Sequence, residues 1–219
     1  KTALPHVSTD NFLVLLGDVP LLSESSVIKI KEQLESHKLV ILTAHVKDPT
    51  GYGRISKDKD GKPSAIIEEL DCNDEQKKIK EINSGIMAFN TEMAKSLIEK
   101  IDPNPKKNEY YLTDAIEIAY HEGIAAITHS TSEEEVFGVN SKKDLAEAEK
   151  INRNKIASGL MDAGVTIIDP ERIDVRGTLT CGKDVTIDVS TVFIGDVTLS
   201  DGVTVGPFTV IANSEIGED

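Results

Sequence analysis

The sequence predicts an α/β fold, followed by a connecting helix and then a parallel β-helix. Three observations lead to this prediction. Apolar runs alternate with segments of helical periodicity through most of the chain, helix start and stop signals bracket residues 141–164, and aliphatic residues recur every six positions from Val175 onwards. The chain has 219 residues, of which 39% are hydrophobic, and this length is sufficient for two folded parts.

The first apolar run is the segment around which we organise the α/β part. Phe12 to Leu16 are all apolar and are followed by Gly17 and Asp18. This pattern predicts a strand that is buried on both faces and ends at the surface. Ligands of open α/β sheets bind at the carboxyl ends of the strands, so Asp18 could hold Mg²⁺ beside a phosphate group. Alternatively, Asp18 caps the turn before the next helix, and the local sequence favours neither interpretation.

The next segments predict a second strand joined to the first by a helix. Apolar residues at helical spacing over Ser23 to Lys38 predict the helix, and the apolar run from Leu39 to Val46 predicts the strand. Together with the first strand they form a βαβ unit.

A glycine-containing segment and a hairpin follow. The two glycines in Asp48 to Ile55 either bring the backbone close to a ligand or make a tight bend. Asp58 to Lys62 contains Asp-Gly, a hairpin signal, and Ser64 to Leu70 is predicted as the returning strand. That strand would place Glu68 and Glu69 on opposite faces, and one of them could face a pocket.

The strand predicted over Ile82 to Asn90 is interrupted by small and polar residues at positions 83–85. Such an interruption weakens a strand, and it indicates either a bulge or the close approach of a ligand. Helices are predicted over Thr91 to Ile101 and Ala115 to Glu122, and strands over Ile124 to Thr128 and Glu135 to Asn140.

The last third of the chain carries a helix and a six-residue repeat. Ser141 and Asp144 fit a capping box that opens a helix ending near Gly164. Beyond it, apolar residues stand six apart, most of them with another aliphatic residue two places earlier; the six-apart positions are Val175, Cys181, Ile187, Phe193, Leu199, Val205 and Ile211. This period is typical of a parallel β-helix, whereas a β-sandwich would space its strands irregularly.

Composition excludes several classes of function. The formal charge of −14 argues against a protein that binds nucleic acid or anionic membranes. The two cysteines, Cys72 and Cys181, fit neither a metal site nor a disulfide pattern, as expected in a reducing cytosol. The sequence has no apolar run of membrane length and no signal peptide, so we expect a cytoplasmic protein.

Several motifs, in this order along the chain, resemble those of the bacterial bifunctional N-acetylglucosamine-1-phosphate uridyltransferase / glucosamine-1-phosphate N-acetyltransferase family. The matching segments are Gly17 to Leu21, Asp48 to Ile55, Ile66 to Glu68, Glu81 to Ile86, Glu109 to Asp114 and Gly138 to Asn140. The resemblance covers essentially the whole chain. It implies a Rossmann-like nucleotidyltransferase sheet over residues 1–140, a linker helix over 141–164, and the start of a left-handed β-helix over 165–219.

The resemblance also implies site residues and ligands. The family transfers a uridylyl group from UTP to N-acetylglucosamine 1-phosphate and, in its β-helix, uses acetyl-CoA to acetylate glucosamine 1-phosphate. It implies Mg²⁺ as cofactor and a homotrimer built through the β-helix. The implied metal ligands are Asp18 and Asn140, and the implied substrate-binding residues are Leu16, Gly17, Asp18, Gly53, Glu68, Asn83, Tyr111, Thr113 and Asn140.

The sequence also departs from the family pattern. The glycine-rich loop that holds the triphosphate would lie before Lys1, and the acetyltransferase residues would lie after Asp219. Leu16 stands where many members have tyrosine. We therefore expect this chain alone not to turn over UTP, and pyrophosphate release by the 219-residue chain would contradict that expectation.

Two other functions remain open at this stage. The chain could belong to another sugar-1-phosphate nucleotidyltransferase, and replacing Asn83 by aspartate would test its sugar selectivity. It could also be a non-catalytic assembly subunit, although the presence of Asp18, Asn140 and Glu68 together argues against decay of the site.

Overall fold

The computed structural model describes residues 2–104 and 109–217. The chain divides into two compact units, Lys1–Val139 and Asn140–Asp219.

The first unit is an α/β sandwich around one mixed sheet. Its strands are β1 (Asn11–Val14), β2 (Leu39–His45), β3 (Arg54–Lys57), β4 (Pro63–Ile67), β5 (Glu81–Asn90) and β6 (Ala126–Thr131). Its helices are α1 (Glu24–Gln33), α2 (Thr91–Glu99) and α3 (Asp114–His121), with short 3-10 turns at Leu4–His6, Glu69–Asp71, Gln76–Lys78 and Glu134–Val136. The strand order is β4-β3-β5-β2-β6, and β1 pairs with β5 beside β3.

Strand β2 lies at the centre of the core. Leu39 and Ile41 pack into a cluster with residues of α2 and α3, while Val40 and Leu42 pack into a second cluster that includes Ile30 of α1. The prediction of a continuous apolar strand at Leu39 to Val46 is therefore confirmed, because a strand covered on both faces needs apolar residues at successive positions.

The prediction for the first strand is wrong about where the strand ends and about how deeply it is buried. β1 stops at Val14, and Leu15 and Leu16 are 55% and 41% exposed. Among the described residues β1 pairs only with β5, antiparallel, so it receives cover from fewer neighbours than β2 does. β1 and β2 flank opposite sides of β5, so an antiparallel strand stands inside the βαβ unit.

The hairpin is confirmed, but its second strand is shorter than predicted. β3 and β4 pair antiparallel, and Asp58 Oδ1 accepts hydrogen bonds from the backbone N–H groups of Asp60 and Lys62 in the turn. β4 ends at Ile67, so Glu68 and Glu69 do not lie on opposite faces of a strand.

Two further local predictions are resolved by the described residues. Ser23 caps α1 by accepting a hydrogen bond from Ser26 N, so the cap of this helix is not Asp18. The strand predicted over Glu135 to Asn140 is wrong, because Glu134–Val136 forms a 3-10 turn instead.

The interruption in β5 is a bulge. Pairing with β2 runs from Met87 opposite Ile41 to Asn83 opposite Thr43, so β5 carries extra residues in between. Ser84 lies in this bulge, donating its hydroxyl to Leu42 O at 2.7 Å and accepting from Ile86 N at 3.1 Å. A side chain thus replaces the missing ladder bonds.

Gly85 completes the bulge and is the position there that requires glycine. Its φ is +80°, and a Cβ at this residue would lie 2.3 Å from Cδ1 of Leu16. We expect Gly85→Ala to lower the free energy of unfolding of the first unit by about 2 kcal/mol, from backbone strain and overpacking combined. Urea unfolding followed by tyrosine fluorescence measures this directly, because the four tyrosines all lie in the first unit.

A matched control separates the two causes. Gly61 also has φ +80°, but a Cβ there would meet no atom within 4 Å. Gly61→Ala should therefore lower the free energy of unfolding only by the cost of backbone strain. Adding Leu16→Ala to Gly85→Ala should recover the difference in free energy between Gly85→Ala and Gly61→Ala. Equal losses in Gly85→Ala and Gly61→Ala would show that contact with Leu16 is unimportant.

The second unit contains a long helix and two parallel sheets. Its elements are α4 (Lys142–Asp162), β7 (Thr166–Ile167), a 3-10 turn (Pro170–Arg172), β8 (Ile173–Cys181), β9 (Thr186–Ile187), β10 (Thr191–Leu199), β11 (Thr204–Val205) and β12 (Val210–Ile216). The sheet orders are β12-β10-β8 and β11-β9-β7. Ser141 caps α4 by accepting from Asp144 N, as the capping box predicts.

The strands of the second unit stack at nearly constant sequence offsets. Every residue of β10 pairs with the residue of β8 that stands 18 positions earlier, as Thr191 does with Ile173. The side chains of the six-residue repeat face one apolar core, which includes Ile187, Phe193, Leu199 and Val205. The repeat therefore predicts correctly which side chains point inward.

Among the residues described, no helix combines the length and the apolar character that crossing a membrane requires.

Candidate functional site

Three of the predicted substrate-binding residues lie side by side at one end of the hairpin. Arg54 pairs antiparallel with Ile67 of β4 and with Ile82 of β5. Gly53 precedes Arg54, so it lies between Glu68, which follows β4, and Asn83 of β5. A hydrogen bond of 2.8 Å from Asn83 N to Gly53 O closes this row.

Gly53 is buried and closely surrounded in this row. A Cβ at Gly53 would lie 3.0 Å from Cγ2 of Ile66, 3.6 Å from Oε2 of Glu68 and 3.7 Å from Cβ of Asn83. Glycine at this position therefore lets the segments that carry Glu68 and Asn83 lie close to the backbone of residue 53. The amide is oriented, because Asn83 Oδ1 accepts a hydrogen bond from Gly85 N at 3.1 Å.

Thr113 and Tyr111 join this group from the segment before α3. Thr113 is buried, and its Oγ1 donates to Glu68 Oε1 at 3.0 Å. Tyr111 and Glu68 both line a cavity of about 350 Å³. The other described residues that line the cavity are Gly51, Glu69, Leu70, Asp71 and Asn104. Residues that are distant in sequence therefore meet at one cavity beside Glu68.

The surroundings of Glu68 are acidic. Burial, together with the nearby carboxylates of Glu117, Glu68 and Asp71, raises the pKa of Asp114. Such an environment suits hydroxyl and amide donors of a neutral sugar ring, which can donate to carboxylates. It repels phosphate groups, so we expect any phosphate to lie at another end of the site, beside a cation.

The strand-end residues Leu16, Gly17 and Asp18 form a second group within the first unit, and Asn140 is the first residue of the second unit. Gly17 is open, since a Cβ there would meet nothing within 4 Å, and Leu16 contacts Gly85 as described above. Val139 N donates to Asp18 O at 2.7 Å, which ties the Gly-Asp turn to the last residue of the first unit. Asn140 follows in the chain, and its N donates to Asp144 Oδ2 at 3.1 Å.

The donor types present are compatible with Mg²⁺. Asp18 offers a carboxylate and Asn140 an amide oxygen, and both are hard oxygen ligands. Within residues 2–104 and 109–217, no group of three or more His, Cys, Asp and Glu side chains could hold a metal. A bound Mg²⁺ would thus need further oxygen ligands from substrate phosphates and water, as is usual for this ion.

No local pattern in the sequence predicts Leu70, Asp71 and Asn104 as cavity residues, whereas Glu68 and Glu69, of which one was expected to face a pocket, both line the cavity. Glu69 and Asp71 belong to the 3-10 turn that replaces the predicted end of β4. Only the position of that turn against Gly51 and Tyr111 brings them to the cavity.

Comparison with known proteins finds similar sequences over most of the chain. A family model described as "Nucleotidyl transferase" matches residues 3–153. "Bifunctional protein GlmU" of Ralstonia pickettii (strain 12J) is 47% identical over 93% of this chain and 45% of its own length. "Bifunctional protein GlmU" of Herminiimonas arsenicoxydans is 42% identical over 98% of this chain and 48% of its own length. The chain thus spans about half the length of these curated relatives.

Among solved structures, a putative glucose-1-phosphate thymidylyltransferase from Bacillus anthracis aligns with a TM-score of 0.49 at 18% identity. The alignment covers 67% of this chain and 56% of that one.

Proposed function

This chain belongs to the nucleotidyl transferase family, and from that premise we propose that its site serves uridylyl transfer from UTP to N-acetylglucosamine 1-phosphate. The products are UDP-N-acetylglucosamine and pyrophosphate. The observation that carries the proposal is the convergence of Gly53, Glu68 and Asn83, with Thr113 donating to Glu68. Curated relatives named as bifunctional GlmU proteins, at 42 to 47% identity, support the choice of reaction.

We assign the sugar to the Glu68 end of the site. The Gly53 backbone N–H would donate to the ligand, and Glu68 would accept hydrogen bonds from sugar hydroxyl groups. Asn83 presents its NH₂ group as a donor, because its Oδ1 already accepts from Gly85. Tyr111 and Thr113 would close the sugar side. The acidic surroundings support this orientation, with the phosphate turned away from Glu68.

We assign the phosphates to the strand-end group. Asp18 and Asn140 would hold Mg²⁺, while Leu16 and Gly17 would lie along the nucleotide. The hydrogen bond between Val139 and Asp18 supports this, since Asn140 is the residue after Val139. When bound, Mg²⁺ would neutralise phosphate charge during the transfer.

The reaction requires the protein mainly to position the two substrates. A phosphate oxygen of the sugar attacks the α-phosphorus of UTP, and the bond from that phosphorus to the pyrophosphate oxygen breaks. Glu68, Asn83 and Gly53 contribute by fixing the sugar, which fixes the direction of its phosphate. No residue of this chain needs to form a covalent bond with the substrate.

For the second unit we propose the start of a left-handed parallel β-helix. The 18-residue offset between β8 and β10 and the inward-facing repeat support three short segments per coil. The domains would then be residues 1–140, 141–164 and 165–219. In the whole protein we propose acetylation of glucosamine 1-phosphate from acetyl-CoA and assembly as a homotrimer, in the cytoplasm.

Calorimetric titration of the purified chain with N-acetylglucosamine 1-phosphate in Mg²⁺ buffer tests the sugar assignment. We expect binding that is at least about tenfold weaker for glucose 1-phosphate, because a site that hydrogen-bonds an acetamido group leaves polar groups unpaired without it. Preference for glucose 1-phosphate would favour another sugar nucleotidyltransferase. Binding of neither sugar phosphate would favour the non-catalytic assembly subunit.

A further inference from the structure

An ion pair between the buried Arg54 and Glu69 lies directly behind Gly53 and Glu68, which we assign to the sugar. Arg54 is only 1% exposed, and its Nη2 donates to Glu69 Oε2 at 2.5 Å. Its Nη1 donates to the carbonyl of Tyr52, and its Nε has no partner among the described residues. A guanidinium is costly to remove from water, so its position requires compensating contacts. Those contacts all involve the segment that carries Gly53 or the turn that follows Glu68.

Glu69 connects this arginine to the glycine segment. The same Oε2 atom accepts a hydrogen bond from Gly51 N at 3.3 Å. The side chain of Glu69 is 27% exposed, so the carboxylate lies at the cavity wall while the guanidinium lies behind it. The hydrogen bond from Arg54 lowers the pKa of Glu69, as expected for a carboxylate that accepts from a guanidinium.

Each member of the ion pair is adjacent in sequence to a residue that we assign to the sugar. Gly53 immediately precedes Arg54, and Glu68 immediately precedes Glu69. Glu68 follows the last residue of β4, so the pairing of β3 with β4 ends before it. Beyond that point the described contacts between the two segments include the ion pair and the bond from Gly51 to Glu69. The spacing between Gly53 and Glu68 thus depends on these contacts.

We propose that Arg54 and Glu69 are positioning residues, which hold the Gly53 backbone and the Glu68 carboxylate at the separation that the sugar phosphate requires. This proposal rests on the proposed function for the identity of the ligand. Arg54 acts from the interior, and Glu69 acts through the two hydrogen bonds that it accepts rather than through contact with the sugar.

Glu69 is the residue to change, because replacing the buried Arg54 endangers folding. Glu69→Ala removes the acceptor, whereas Glu69→Gln keeps an oxygen that can accept from both Arg54 and Gly51. We expect Glu69→Ala to weaken binding of N-acetylglucosamine 1-phosphate about tenfold and Glu69→Gln to change it less than about threefold. Glu75→Ala is the matched control, since Glu75 is exposed and pairs only at the surface with Lys78.

Hydrogen exchange of the backbone provides a readout without ligand. Glu69→Ala should speed exchange over residues 48–54 while leaving β2 and β6 protected, and Glu69→Gln should not. Equal sugar-phosphate affinity in Glu69→Ala and the unchanged chain would overturn the proposal, as would equal losses in the two Glu69 variants. If the unchanged chain binds no sugar phosphate, the proposed function fails; faster exchange in Glu69→Ala alone then supports the positioning role, and unchanged exchange overturns it.

Discussion

Glu68→Gln is expected to weaken binding of N-acetylglucosamine 1-phosphate by about 10- to 100-fold. A carboxylate accepts hydrogen bonds from hydroxyl groups with about 1.5–3 kcal/mol of net benefit each, and the amide loses the charge that assists them. Glu68 already accepts from Thr113, which fixes the orientation of its carboxylate toward the cavity. Calorimetric titration with and without Mg²⁺ gives the dissociation constants for comparison.

Glu75→Gln serves as the control for this loss of charge. Its side chain is 82% exposed and forms an ion pair with Lys78 on the surface. It should leave the affinity unchanged. An affinity in Glu68→Gln within about twofold of the control would remove Glu68 from the sugar site and, with it, the central support for the proposed function.

Gly177→Ala is expected to unfold much of the second unit. Its φ is +141°, and a Cβ there would lie 2.3 Å from the carbonyl oxygen of Gly195 and 2.9 Å from its Cα. Backbone atoms of the neighbouring strand β10 cannot rotate away as a flexible side chain can. Strain and overpacking together should cost about 3 kcal/mol or more. Hydrogen exchange over residues 165–217 should therefore lose protection, whereas β2 and β5 keep theirs.

Gly206→Ala provides the matched comparison within the same unit. A Cβ at Gly206 would meet no atom within 4 Å. This variant should retain the exchange protection of the unchanged chain. Retained protection in Gly177→Ala as well would mean that β8 and β10 do not pack as closely as the contact between Gly177 and Gly195 indicates.

The elements that could be predicted from sequence are those whose signals are local. The cap at Ser141, the end of the helix predicted over Ala115 to Glu122 and the hairpin turn at Asp58 depend on residues within a few positions, and each lies within a residue of where it was predicted. The six-residue repeat predicted the inward-facing positions correctly for a similar reason. Its pattern is local and does not depend on which strands become partners.

Besides the strand wrongly predicted over Glu135 to Asn140, the errors concern strand ends, which depend on distant partners. Leu15 and Leu16 are apolar and continue the pattern of β1, yet the strand stops where its pairing with β5 stops. Ile67 ends β4 in the same way, and the 3-10 turn that follows carries Glu69 to the cavity wall. No spacing in the sequence predicts the contact between Arg54 and Glu69, because it forms across strands and beyond their ends.

The sequence offsets between paired strands of the second unit are not all 18 residues. Thr186 pairs with Thr166, 20 residues earlier, and the surplus residues lie around the 3-10 turn Pro170–Arg172. Val197 pairs with Ser214, only 17 residues later, after a register shift beyond Ile194. The inward side chains keep their places in both cases. The second unit can therefore gain or lose single residues between its inward-facing side chains without redesign of its interior, so the lengths of these segments are open to evolutionary change and to engineering.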